Sequence, residues 1–324
     1  MRACGVIAVA IGLVCCAVTS IAADGSGQRV LAPGVLIVIS PSQEPVETFS
    51  GPRPLVEIAR GLPDLDWTPH YTPKSETLLE KSRTVVFRRP IWNLEFAFKP
   101  MRLIEADVLQ PSGKLQRKLI WYIVYRVTNR GYALRPKGTE DRWGHTLFQT
   151  EDVNYQTRRF FPQLVLASHE YNKEYLDRPT LLTAQRMIQQ RESPGLKLYN
   201  SVEITKVPIP LSDDRTEQSV WGVAMWEDVD PRIDFFSIYV DGLTNAFRFE
   251  DQPDAYNPGD PPGTGRTYTH KNLQLNFWRP GDTVREHERE IRFGVPADSS
   301  PARQQELLEK YGLNRRLDYL WVYR

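Results

Sequence analysis

Apolar residues recur at every second position over most of residues 83–295, and this period constrains the chain more than its composition does. Trp92, Leu94, Phe96 and Phe98 alternate with Asn93, Glu95, Ala97 and Lys99. Successive side chains of a strand point to opposite faces, so this segment reads as a strand with one buried face. Leu119, Trp121, Ile123, Tyr125 and Val127 alternate with Ile120, Tyr122 and Val124, which are apolar as well. A strand apolar on both faces belongs in the middle of a sheet covered on both sides. Asn129-Arg130-Gly131 then closes it as a turn cluster. Further strands are expected at 160–166, 198–205, 219–226, 233–240, 273–278, 290–295 and 317–323.

Two segments break the period. From Pro179 to about Arg191, residues Leu181, Leu182, Ala184, Met187 and Ile188 form a stripe at helical spacing, and Pro194-Gly195 ends it. Ser300 and Pro301 open a second helix that Gly312 closes. Many strands without regular β–α alternation predict a mainly β fold. The expected architecture is an antiparallel immunoglobulin-like β-sandwich with a helical insertion near 180–191 and a short C-terminal helix near 301–311.

The N-terminus has a different character. Arg2 precedes an uncharged apolar run from Val6 to Val18, followed by Thr19-Ser20-Ile21-Ala22-Ala23. This is the layout of a secretory signal peptide cleaved between Ala22 and Ala23. The run is short against the roughly 20 residues of a spanning helix. All three cysteines, Cys4, Cys15 and Cys16, lie inside the expected signal peptide, so the mature chain carries no thiol and no disulfide. Thiolate zinc sites and thiol catalysis leave with them. Residues 24–80 hold eight prolines, which deny backbone donors to helices and central strands. Within them, 35–39 reads as one short strand, and 55–60 and 75–81 read as short helices. The chain therefore divides into a signal peptide (1–22), a Pro-rich arm (23–82) that lies along the main domain, and a β-sandwich domain (83–324). A secreted or periplasmic location follows, with no transmembrane domain in the mature chain.

Charge is balanced overall, with 41 Lys/Arg against 40 Asp/Glu, which argues against a nucleic acid as general partner. The balance hides two opposed segments. Residues 99–138 contain nine Lys/Arg and two Asp/Glu, whereas residues 212–260 contain three Arg and twelve Asp/Glu. Either they form opposed surface patches, or they neighbour each other in the sandwich and neutralise locally.

Several strings, Arg89 to Pro100, Arg117 to Val127, Phe235 to Arg248, Leu273 to Asp282 and Leu317 to Arg324, resemble an uncharacterised, signal-peptide-bearing family of secreted proteins from planctomycete bacteria. The resemblance spans about residues 55–324 and rests on strand-like strings rather than a catalytic signature. It implies a secreted bacterial protein, assigns no activity and carries over no functional residue.

Chemistry-bearing motifs are sparse. No two of His70, His145, His169, His270 and His287 stand four apart as a helical zinc pair would. No G-x-S-x-G elbow is present. The segment Gly259 to Thr267 resembles a phosphate loop only faintly, because Pro261 and Pro262 remove two amides and Arg266 stands where Lys is needed. Glu227, Asp228 and Asp230 cluster after Trp226 and are the residues for a carboxylate-pair glycoside hydrolase. As a loop they would instead face solvent, opposing no second carboxylate. Asp251, Asp254, Asn257 and Asp260 offer oxygen ligands for a loop calcium ion. No other cofactor is expected. Trp143, Trp226 and Trp278 fall near expected strand ends, where exposed rings could stack on sugars. The reading that fits best is a secreted, non-enzymatic structural or interaction protein with a polysaccharide or envelope protein as partner. A carbohydrate-binding module and a glycoside hydrolase are its rivals.

Overall fold

The computed structural model describes residues 36–60, 78–110, 112–192, 195–213, 215–280 and 290–324. The expected signal peptide and cleavage site, His70 and His287 lie outside these residues. Of the described residues, 44% are in strands and 14% in helices, and the sheets are antiparallel.

Each of the two main sheets is built on one long strand. Leu115–Thr128 is the spine of the first. On one side it pairs with Glu95–Phe98 and Arg102–Leu109, and on the other with Ser219–Trp226. Ile37–Ile39, from the Pro-rich arm, adds to Glu95–Phe98, so the arm contributes a strand to the sandwich itself. Arg266–Trp278 is the spine of the second sheet and pairs with Phe235–Asp241, Phe247–Asp251 and Tyr319–Tyr323. Gln163–Ser168 and Lys173–Leu176 extend that sheet beyond Phe235–Asp241.

The inner faces meet in one apolar layer. Phe96, Phe98, Trp121, Ile123, Tyr125 and Val127 from the first sheet pack with Leu164, Leu166, Phe236, Ile238, Leu275 and Phe277 from the second. Edge-on ring pairs cross the layer, Trp121 to Phe236 at 5.3 Å between centroids and Phe98 to Phe277 at 6.0 Å. Gly222 makes room for one of these rings, since a Cβ there would stand 2.4 Å from Cζ of Tyr125.

The second face of the first spine is buried too, as its two-sided apolar pattern requires. Ile120, Tyr122 and Val124 are covered by Leu181 and by the helix Leu182–Glu192 through Ala184 and Ile188. Tyr122 and Arg102 both donate to Glu192 at 2.8 Å, pinning the helix end to the sheet. The other expected helix spans Pro301–Glu309.

Sequence alternation misjudges the outer face of the second sheet. Gln274 and Asn276 are its polar positions, alternating with Leu273, Leu275 and Phe277, yet they are 3% and 0% exposed. The C-terminal segment covers them, and they are hydrogen-bonded inside the protein. Ser237 and Gln274 both donate to Oδ1 of Asn276, at 2.8 and 3.0 Å, and Nδ2 of Asn276 donates to the Leu317 carbonyl at 2.8 Å. A buried amide is tolerated when its groups are paired in this way.

The strand expected at 198–205 is not formed. Only a bridge from Tyr199 to Gly222 remains, and Ile204–Lys206 is a 3-10 turn. Asn200 is the cause. Its Oδ1 accepts from the amides of Val202 and Glu203 at 3.0 and 2.9 Å, and Glu203 accepts from the Asn200 amide at 3.3 Å. This reciprocal cap offers the backbone a helical turn in place of a ladder.

The acidic and basic segments meet. Ser219–Trp226 lies against Leu115–Thr128, which brings their flanks together. Lys118 pairs with Glu227 at 3.1 Å and Asp228 at 2.6 Å, Arg126 with Glu217 at 2.5 Å, and Arg130 with Glu217 at 3.8 Å. Antiparallel pairing, rather than opposed patches, accounts for much of the charge contrast.

Candidate interaction surface

Ala133–Glu140 and Thr146–Asp152 form a hairpin that projects from the sandwich, with all but four of its strand residues exposed. Its turn is locally encoded. Asp141 accepts from the amides of Trp143 and His145, both at 2.8 Å, and Gly144 takes the positive φ of +81° that closes such a loop. The backbone amide of His145, followed by that of Trp143, holds the Asp141 carboxyl below its ordinary range. At the tip, Trp143 is 66% exposed, with the Arg142 guanidinium 4.0 Å from its ring centroid.

Beside this hairpin lies a second antiparallel pair, Phe49–Arg53 from the arm with Val85–Arg88. Between them runs a groove of about 800 Å3 whose lining includes Phe49, Pro52, Val86, Arg88, Pro136 and Phe148. Leu147 is 57% exposed, Phe148 46% and Phe49 44%. The Arg88 guanidinium lies 3.6 Å from the Phe148 centroid and has no carboxylate partner among the described residues.

A smaller, polar cavity of about 370 Å3 opens among Ser168, His169, Tyr239, Gln274, Tyr323 and Arg324. His169 Nε2 and the Tyr239 hydroxyl are 3.0 Å apart. Burial raises the Tyr239 pKa. The charges at its rim are already paired, Arg324 with Glu174 and Lys173 with Asp230, each at 2.6 Å.

The sequence-derived candidates divide. Trp143 is exposed as expected. Trp226 and Trp278 are not, being 0% and 8% exposed, and neither offers a ring to a ligand. Both end strands whose last residues still face a covered layer, so position at a strand end did not mean exposure. The acids after Trp226 are ion-paired rather than simply solvated. Glu227 lies between Lys118 and Arg178, at 3.1 and 2.8 Å. Arg232, then Lys173, holds the Asp230 carboxyl well below the carboxylate range. Asp228 is the outward-facing one, at a positive φ of +55°. A general acid needs a raised pKa, and Asp230 is shifted the wrong way.

The oxygen ligands of the acidic loop are committed separately. Asp251 pairs with Arg266 at 2.7 Å, Asp254 with Arg60 at 3.2 Å, and Asp260 accepts from the Asn257 amide at 2.9 Å. Among the described residues no cluster of His, Asp and Glu is placed to hold a metal ion.

Phe49, Arg88, Leu147 and Phe148 were not singled out in the sequence. Phe148 had a signal, since Thr146, Phe148 and Thr150 recur at every second position just after the Asp141-Arg142-Trp143-Gly144 turn. Phe49 had none, because a Pro-rich context suppresses any periodic reading. Comparison with protein-family models, curated proteins and solved structures finds no match.

Proposed function

We propose that the chain is an exported, non-enzymatic interaction protein that docks a macromolecule of the bacterial envelope or exterior through the projecting hairpin and its groove. One observation carries this reading: Phe49, Trp143, Leu147 and Phe148, all at least 44% exposed, lie on the projecting hairpin and the strand pair beside it. Scattered apolar residues are ordinary on a surface, whereas a gathered set marks an interaction site. The N-terminal apolar run with its small-residue end supports export, as does the resemblance to secreted planctomycete proteins. Among the described residues no helix is long and apolar enough to cross a membrane. An immunoglobulin-like reading of the sandwich is part of this proposal, since such folds display hairpins and loops for binding.

Export is tested at the N-terminus. Protein recovered from the envelope or culture medium should begin at Ala23 or Asp24, and retention of Met1 would defeat the assignment. Docking is tested by a photo-crosslinking side chain placed at Leu147, with the same group at Leu115 as the control. Leu115 is 68% exposed but lies on a different hairpin. An adduct specific to position 147 in the envelope or extracellular fraction is the expected outcome. Equal labelling at both positions, or none at 147, counts against docking. A glycan adduct at 147 would favour the carbohydrate-binding rival through Trp143.

A further inference from the structure

We propose that the polar cavity on the outer face of the second sheet holds a single neutral sugar ring, anchored by Gln274 Oε1 and the Tyr239 hydroxyl. This goes beyond the docking reading and does not depend on the hairpin or its groove.

The second sheet builds the floor. Tyr239 of Phe235–Asp241 and Gln274 of Arg266–Trp278 stand opposite each other in register, so their side chains share a face. Val165, Ala167 and Tyr239 pack together there with Val322 of the C-terminal strand. One wall is the turn between Gln163–Ser168 and Lys173–Leu176, which carries His169 and Asn172. The other is Tyr311 and Gly312, just past the C-terminal helix. Gly312 has a positive φ of +67°, and a Cβ there would stand 3.3 Å from His169 Cε1, so the two walls close on each other.

Gln274 Oε1 is the atom that points to a ligand. Gln274 is 3% exposed. Its Nε2 donates to Ser237 Oγ, Asn276 Oδ1 and the Tyr311 carbonyl, at 3.2, 3.0 and 3.4 Å. Its Oε1 accepts from no described residue, yet it is not one of the described polar atoms shut off from solvent without a partner. An unpartnered oxygen on so buried a residue therefore looks into the cavity that Gln274 lines. A buried acceptor that lacks a donor is costly, and native proteins leave few of them. On the facing strand, the Tyr239 hydroxyl shares one hydrogen bond with His169 Nε2 and has capacity for another. Burial raises its pKa, so it keeps its proton at neutral pH.

Charge and size set the ligand class. Lys173, Glu174 and Arg324 line the cavity, but Lys173 is paired with Asp230 and Arg324 with Glu174. None of them is left to hold an ionised group. A volume of about 370 Å3 lies near the lower end of small-molecule sites, room for one ring rather than a chain. A sugar ring presents hydroxyls that donate and accept along its edge and C–H groups on its face. The first suit Gln274 and Tyr239, and the second suit Ala167 and Val322.

The probes are the methyl pyranosides of glucose, galactose, mannose and N-acetylglucosamine. Each is titrated into the purified chain while the Gln274 side-chain amide is followed by NMR in glutamine-labelled protein. At least one should shift that resonance saturably, with a dissociation constant on the order of 1–10 mM. Tyr239→Phe should weaken binding about tenfold, as loss of one hydrogen bond does, with its melting curve confirming the fold. Ala167→Val, which fills the floor and removes no polar group, should weaken it as well. A disaccharide that binds more tightly than the methyl glycoside identifies the end of a glycan as the source, and the reverse identifies the free sugar. Absence of a saturable shift with every probe overturns the proposal, as does binding that both variants leave unchanged. Glucuronate binding about tenfold more tightly than the glucoside would overturn the neutral class. Sugar binding lost on Trp143→Ala but not on Tyr239→Phe would move the site to the hairpin. None of these results alters the crosslinking test at Leu147.

Discussion

Glu47→Ala should cost about 3–5 kcal/mol of unfolding free energy, the penalty for leaving a buried charge without its partner. Lys271, on the spine of the second sheet, and Glu47, in the arm, form an ion pair whose side chains are 3% and 4% exposed. Lys271 donates to Glu47 Oε1 and to the Ser42 carbonyl. The Tyr323 hydroxyl donates to the same Oε1 at 2.7 Å, and the Glu44 amide to Oε2 at 3.0 Å. Burial, then the bond to Glu47, pushes the Tyr323 hydroxyl above its usual range. Alanine at 47 removes the counter-charge and two further acceptors at once. The variant should also lose hydrogen-exchange protection at Ile37–Ile39, the strand that the arm contributes. The double variant Glu47→Gln with Lys271→Met should cost less than Glu47→Ala, since it removes both charges. Urea unfolding of the single and double variants decides the matter, and a single-variant cost below about 1 kcal/mol would mean the pair does not hold the arm.

Asp177→Asn should work in the opposite direction and only above acid pH. Burial raises the Asp177 carboxyl from 3.8 to about 6, against the bonds from Ser201 and the Met225 and Arg178 amides. A raised carboxyl binds its proton more tightly in the folded protein than in the unfolded chain. Between pH 3.8 and about 6 the folded state therefore holds more protons, and stability falls as pH rises through that window. At 1.36 kcal/mol per unit, the loss is about 3 kcal/mol at most. Asparagine keeps an oxygen for the Met225 amide and has no charge to bury. At neutral pH the variant should be more stable than the parent, and the decline between pH 4 and 6 should vanish from its profile. Carboxyls held low by cations, such as Asp230, act with the opposite sign and in more acid solution, which separates the two effects. A variant whose profile parallels the parent would show that Asp177 is not the group titrating. Asp177→Ala is the complementary control, because it leaves the Met225 amide buried without an acceptor.

The spines were legible wherever burial followed the strand period. Trp121 to Val127 and Leu273 to Phe277 show their inner faces in the sequence because every second residue is apolar. The helix Leu182–Glu192 was legible for the same reason at its own spacing. Legibility failed where polar groups were buried with partners from distant segments. The polar residues Gln274 and Asn276 carry no local sign of burial, and it is the return of residues 311–317 that covers them. It failed again at Asn200, where a side-chain cap outweighed the β-branched residues around it. The strand pair of the projecting hairpin was missed because its buried stripe is too short to set a period.

Local pattern by itself determined the mainly antiparallel β class, the two principal helices and the turns at Asn129 and Gly312, since each depends on residues within a few positions of one another. Which strands neighbour which was decided only by the tertiary structure. That choice seats Lys118 beside Glu227, buries Lys271 on Glu47, buries Trp226 and leaves Phe148 exposed. Pairing partners are chosen by the free energy of the whole packed layer, and a strand's own residues record which face is apolar but not what will cover it.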